Sequence, residues 1–258
     1  MELSIEQLFQ WIGAFMWPFI RITALLMVAP VVGSNNIDTS WRLTLALFLA
    51  IIVAYQAPLP PAMDLLSIQA FLLAAEQVLI GISIGFVLQM VFSALSQAGE
   101  IISVGMGLHF ARAVDPMSGQ QVPVVAQFFV IIGSLLFLSL NGHLILIELL
   151  IMSFETLPVG GDGLTTDDFW EMIQFSGQMF STALLIAIPA LATMLMINIA
   201  ALGIAAKAAP QLHIFAVGFP IMKLVGFILI VMIMPAFADR FGEFLLLGFD
   251  LMGRLVRF

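Results

Sequence analysis

Residues Gln77–Gly99 read QVLIGISIGFVLQMVFSALSQAG, and no charged side chain interrupts them. A helix needs about 20 mostly apolar residues to cross the hydrocarbon core of a bilayer, and this stretch has that length. It is not alone. Leu43–Met63 is a second uncharged run, and Pro116–Ile147 and Met172–Ala206 are longer. Two further runs carry one charge each: Arg21 within Leu8–Val32, and Lys223 near the start of Leu212–Ala238. Of the 258 residues, 62% are hydrophobic and 9% charged, against roughly 45–50% and 25% in soluble domains. A soluble fold of this size has too little interior to hide so much apolar surface. The expected fold is all-α: a polytopic helical membrane protein of about six hydrophobic units.

Turn chemistry separates the units. Gly33-Ser34-Asn35-Asn36 closes the first and Pro58-Leu59-Pro60-Pro61 the second. The third is broken from the fourth across Gly105–Pro123, and Pro158–Gly163 opens an acidic loop. Ala209-Pro210 parts the fifth unit from the sixth. No soluble linker interrupts the chain, so residues 1–258 read as one membrane-embedded domain. Glu2 and Glu6 precede the first apolar run, unlike the basic start of a signal peptide; that run reads as a retained helix.

Charge excludes some functions. A net charge of −8 with eight scattered basic residues does not suit nucleic acid, which needs clustered Lys and Arg. There is no cysteine, hence no disulfide or thiolate metal site. The histidines, His109, His143 and His213, are far apart, and no HExxH, GxSxG or Walker pattern occurs. The chain is therefore read as no enzyme, without metal or cofactor. Orientation is contradictory. Asn141–Glu171 holds six acidic residues and no basic one, so it faces outward under the positive-inside rule, which puts Arg42, Arg112 and Lys207 inside. Six crossings then strand Arg240, Arg254 and Arg257 outside.

Several features invite a functional reading. Gln89, Ser93, Ser96, Gln97 and Glu100 share one helical face. Hydrocarbon penalises such a face, so it meets protein or water: ordinary interhelical hydrogen bonds, a surface for other subunits, or a channel lumen. Gln174, Gln178, Ser181 and Thr182 form a similar row. Gly81 and Gly85 make a GxxxG pair, which permits close helix packing. Arg21, Glu76, Glu100, Glu148 and Lys223 lie in or beside apolar segments. Such charges pair between helices or mark an ion path; on the latter reading the chain is an ion-coupled secondary transporter acting alone. The segment Gly105–Gly119 is too apolar for a solvent loop and too rich in glycine for a stable helix. Irregular backbone at membrane depth survives when buried in protein or lining a cavity. A re-entrant element blocking a pore fits, with Met106, Leu108, Phe110 and Met117 as a deformable apolar seal; so does a plain connector.

Motifs along the chain carry a resemblance. Glu100-Ile101-Ile102-Ser103-Val104-Gly105 leads into Asp115-Pro116, and Leu138-Ser139-Leu140-Asn141-Gly142-His143 ends in the block LNGH. Ser153-Phe154 and Pro158-Val159-Gly160 follow, then Ala209-Pro210-Gln211-Leu212-His213-Ile214-Phe215, then Gly218-Phe219-Pro220-Ile221-Met222-Lys223. In order and spacing the set resembles the FliR/SctT family of type III secretion export-gate proteins, most closely its flagellar branch, over essentially the whole chain. His213 stands where that family has Asn; both hydrogen-bond. The resemblance implies a gate subunit whose helices form bent hairpins in a hetero-oligomeric helical pore, built with FliP-like and FliQ-like subunits. FlhB-like and FlhA-like export proteins, unfolded flagellar export substrates and membrane lipid are its further partners. It implies a place in the bacterial inner membrane at the flagellar basal body, raised toward the periplasm. It also implies that the loop after the third helix plugs the pore; here that is about Gly105–Pro123, with Gly105, Met106, Gly107, Leu108, His109, Phe110, Asp115, Pro116, Met117 and Gly119. The row from Gln89 to Glu100 then faces partners or lumen, and Asn141, Gly142, His143, Pro210, Gln211 and Lys223 are the family positions.

Overall fold

The computed structural model describes residues 5–33, 37–58, 60, 67–108, 123–208 and 214–258. Among them the chain forms seven helices: α1 (Ile5–Val28), α2 (Thr39–Gln56), α3 (Ile68–Gly105), α4 (Val124–Ser139), α5 (Gly142–Thr156), α6 (Thr166–Ala208) and α7 (Ile214–Leu255). Five are long and apolar enough to span a bilayer, and α4 with α5 makes a sixth if that bent pair is one span. The fold is the all-helical, polytopic one the composition requires.

Two boundaries depart from the sequence reading. The run Pro116–Ile147 is not one helix. Asn141 sits at φ 57 in the left-handed region, which an Asn side chain tolerates better than most. The helix stops at Ser139, restarts at Gly142 and turns by 67°. The last unit, expected to end near Ala238, runs on to Leu255 through Pro220 and Pro235. At about 1.5 Å per residue, helices of 43 and 42 residues reach about 63–65 Å, twice a hydrocarbon core of about 30 Å. Hydropathy gives the number of units but not where the last one ends, and Arg240 and Arg254 stand on a helix instead of in a tail.

The ends of the helices are closed by local chemistry. The Asp38 carboxylate accepts from Ser40 N at the start of α2. Thr165 and Asp168 exchange hydrogen bonds at the start of α6, a capping box.

The chain divides into two compact units. The first comprises residues 1–91, 138–176 and 245–258. Here the GxxxG pair seats α3 on α1. A Cβ at Gly81 would collide with the Arg21 carbonyl oxygen, and one at Gly85 would lie 3.0 Å from Leu25 O. Trp17, Ile22, Leu25, Ile80, Ile84 and Leu88 fill the space around this contact. The second unit comprises residues 92–137 and 177–244. Its core is a run of rings: Phe92 packs edge-on against Phe137 and Phe241, Phe237 stacks on Phe241, and Phe129 meets Phe237 at 4.8 Å. Gly99 lets α3 close on α4, for a Cβ there would be 2.5 Å from Ala126 Cα.

Candidate functional site

The first turns of α3 expose Ile68, Phe71, Leu72 and Leu79, but from Gly81 to Glu100 the helix is largely buried and one stripe stays uncovered: Ile82, Phe86, Gln89, Ser93, Gln97 and Glu100 are exposed or half-exposed. Its second half is the polar row expected from the sequence. Gln97 Nε2 donates weakly to Met179 Sδ of α6 at 3.8 Å, one residue from Gln178. The second polar row, Gln174, Gln178, Ser181 and Thr182, is exposed or half-exposed along α6. Two rows of hydrogen-bonding side chains thus occur on the exteriors of helices otherwise clothed in apolar residues.

At its C-terminal end α3 leads into the glycine-rich segment, and the transition is well defined. Gly107 adopts φ 71. Its N–H reaches Val104 O at 3.0 Å and the Leu108 N–H reaches Ser103 O at 3.1 Å, the paired bonds of a Schellman cap. Glycine takes this left-handed position without a Cβ clash. The cap is anchored by packing. Met106 is fully buried and lies where a Cβ on Gly226 of α7 would be. A Cβ on Gly105 would be 3.1 Å from Leu191 Cδ1 of α6. Met106 is thereby a root of the segment; Leu108 is half-exposed. His109, Phe110, Asp115, Pro116, Met117 and Gly119 lie outside the described residues, as do Pro210 and Gln211.

Of the other family positions, Asn141 makes the α4–α5 break and Gly142 is buried behind it. His143 Nδ1 is buried with no hydrogen-bond partner. Lys223 is exposed on α7. Glu148 is exposed too, and Glu76 is half-buried.

Sequence reasoning flagged Arg21 as a buried charge and missed what it does. The residue is fully buried. Its Nε donates to Gln77 Oε1 at 2.8 Å, Nη1 to Ser153 O at 2.7 Å and Ser153 Oγ at 3.0 Å, and Nη2 to Leu157 O at 2.9 Å. The guanidinium also stands over the Phe154 ring at 4.1 Å. One side chain from α1 therefore holds α3 and satisfies the last carbonyls of α5, where a cation also suits the helix dipole. Nothing in local sequence points to partners 56 to 136 residues away.

Just beyond α5, two more arginines hold the acidic segment. Arg254 pairs with Glu171 at 3.0 Å and with Asp250 at 2.6 Å. Arg257 donates to Asp162 O and Gly163 O at 3.2 and 3.1 Å. Two of the three arginines that the charge rule left stranded are partners of the acidic segment; the third, Arg240, pairs with Glu243 on α7 at 3.0 Å.

The model of the family described as bacterial export proteins, family 1, matches residues 12–247. The flagellar biosynthetic protein FliR of Escherichia coli K12 is 39% identical over 240 residues, covering 92% of this chain and 90% of that protein. The FliR of Pectobacterium carotovorum is 38% identical, with 95% of each covered. That of Bacillus subtilis is 32% identical, with 86% of each covered. A match of this length joins the long apolar helices to known relatives, and the chain belongs to the FliR family of bacterial export proteins.

Proposed function

We propose that this chain is a structural and gating subunit of the flagellar protein export gate, forming the secretion conduit with FliP-like and FliQ-like subunits and closing it with the segment Gly105–Pro123. The observation that carries the reading is the end-to-end similarity to flagellar FliR proteins. Membership in that family makes the chain a flagellar export component in a membrane. The finer assignment is supported by the uncovered polar rows on α3 and α6, which in hydrocarbon call for partners. It is also supported by the segment's anchored root at Met106. FlhB-like and FlhA-like proteins complete the apparatus, and unfolded flagellar proteins are its cargo. The chain resides in the inner membrane at the basal body, raised toward the periplasm.

Co-expression with FliP-like and FliQ-like subunits, extraction in detergent and mass measurement test the assembly. A single complex of defined mass is expected; a chain that runs alone overturns the proposal. Glu100→Ala is expected to reduce co-purification of those subunits severalfold, and full recovery removes Glu100 from the interface. Deleting Gly107–Gly119 is expected to raise ion leakage through the assembled gate in whole cells, and unchanged conductance counts against the plug.

A further inference from the structure

The bare surface of α7 carries a feature that those of α2 and α6 lack. Leu224, Phe227, Ile228, Val231 and Met232 are all exposed, and Lys223 stands among them, exposed as well. With Phe227 and Val231 it falls at i, i+4 and i+8 of one stripe. By contrast α6 has no charge from Met172 to Ala206, and α2 has none from Leu43 to Gln56.

The other described basic side chains have partners within the chain. Arg21 has its buried network, and Arg42 Nη2 donates to Ile37 O at 2.7 Å. Arg240 and Arg254 have carboxylates, and Arg257 has two carbonyl oxygens. Among the described residues Lys223 makes no hydrogen bond and no ion pair.

Its depth narrows what can answer it. Helix α7 begins at Ile214, nine residues before Lys223, and the next charge is Asp239, sixteen residues after it. At about 1.5 Å per residue this leaves about 14 Å of uncharged helix on one side and about 24 Å on the other. Lysines near helix ends stretch outward to the headgroups. A membrane boundary within reach of the four-carbon stem of Lys223 would put Ile214-Phe215-Ala216-Val217-Gly218-Phe219, which has no polar side chain, outside the hydrocarbon. A water-filled lumen suits the ammonium but not the bulky apolar side chains around it. Acyl chains suit those side chains but not the ammonium. An apolar protein surface that bears one acid suits both.

We infer that Lys223 is the point where α7 docks on a membrane helix of a neighbouring gate subunit, its ammonium paired with an Asp or Glu side chain of that helix. Leu224, Phe227 and Ile228 pack on the apolar surface around the pair. The inference rests on the reading of the chain as a gate subunit. Such a pair selects its partner, because a helix without the acid would bury the ammonium unpaired.

Lys207 and Lys223 are the chain's only lysines. In a Lys207→Arg background, membranes that hold the chain with co-expressed FliP-like and FliQ-like subunits are treated with a membrane-permeant carbodiimide. This reagent joins an amine to a carboxylate in contact with it and adds no spacer. Peptide mass spectrometry is expected to find Lys223 joined to an Asp or Glu of another subunit. The product is absent in Lys223→Arg, whose guanidinium does not couple. Without the reagent, Lys223→Gln and Lys223→Glu are expected to lower co-purification of the partner subunits severalfold, the glutamate more. Lys223→Arg keeps most of it, and none of the three lowers the level of the chain expressed alone. Full recovery of partners with Lys223→Glu overturns the inference. So does a wild-type complex whose Lys223 couples to no subunit, or in which Lys223→Gln loses bound anionic lipid and no subunit. In those cases the gate reading stands, since the wild-type complex forms; a wild-type chain that brings down no partner overturns that reading, and this inference with it.

Discussion

Arg21→Ala is expected to cut the steady-state level of the chain in membranes severely and to lower its stability in detergent by about 2–4 kcal/mol, the order of two buried acceptors losing their donor. The substitution strips Gln77 Oε1 and Leu157 O of their donor at once and leaves Ser153 O with the Leu157 N–H alone. Each buried acceptor left alone costs about 1–3 kcal/mol, and relief from keeping a cation out of water offsets part of the sum. The geometry also ranks milder changes. Arg21→Lys keeps the charge but replaces a rigid fork with a point donor, so it is expected to fall between wild type and alanine. Gln77→Leu costs less than Arg21→Ala, because Arg21 keeps its two carbonyl acceptors. Ser153→Ala costs least, because Nη1 still reaches the Ser153 carbonyl at 2.7 Å. Thermal unfolding in detergent, with immunoblots of membrane fractions, reads this order. Arg21→Ala behaving like wild type removes the arginine from the structure's supports.

Much of this architecture is legible in the sequence because its signals are periodic. The uncharged run Gln77–Gly99 becomes part of a buried helix, and the row from Gln89 to Glu100 becomes its uncovered stripe. The Gly81–Gly85 pair, a weak motif in isolation, becomes the contact of α3 with α1. What stays hidden is set by partners distant in sequence or by single backbone angles. Arg21 is plainly an expensive charge, but Ser153 and Leu157, which make it tolerable, lie over 130 residues away. The break at Asn141 is marked in sequence by the turn dipeptide Asn141-Gly142, but its position inside a long uncharged run hid it; the φ of 57° at Asn141 turns the chain. The conflict over the C-terminal arginines came from counting charges by side without asking what they touch. Arg254 and Arg257 are held by the acidic segment itself, and Arg240 pairs with Glu243 on α7. At the head of the glycine-rich segment, the Schellman cap at Gly107 follows from glycine chemistry, and Met106 serves as an anchor. The residues of that segment from His109 to Gly119 lie outside the described part.

Gly81→Leu tests whether the α1–α3 seat and the Arg21 node are one device. Any Cβ at Gly81 collides with the Arg21 carbonyl oxygen and approaches Ala24 Cβ to 2.9 Å. These are helix backbone and a short side chain, with no flexible end to move aside, so the helices must part. Gln77 lies one turn before Gly81 on α3, so parting draws its Oε1 away from Arg21 Nε. Gly81→Ala is expected to cost about 1–3 kcal/mol, as overpacking does, and Gly81→Leu more. Gly85→Ala, whose Cβ would be 3.0 Å from Leu25 O, is expected to cost less than Gly81→Ala. Gly177→Ala is the control: nothing lies within 4 Å of a Cβ there, and removing a helix-interior glycine stabilises by about 0.5–1 kcal/mol. Residues that act through one junction do not add. The double variant Arg21→Ala with Gly81→Leu is therefore expected to lose clearly less than the sum of its single losses in detergent unfolding. Simple additivity means that the glycine contact and the arginine support the fold independently, which ends the claim that close backbone packing positions the buried cation.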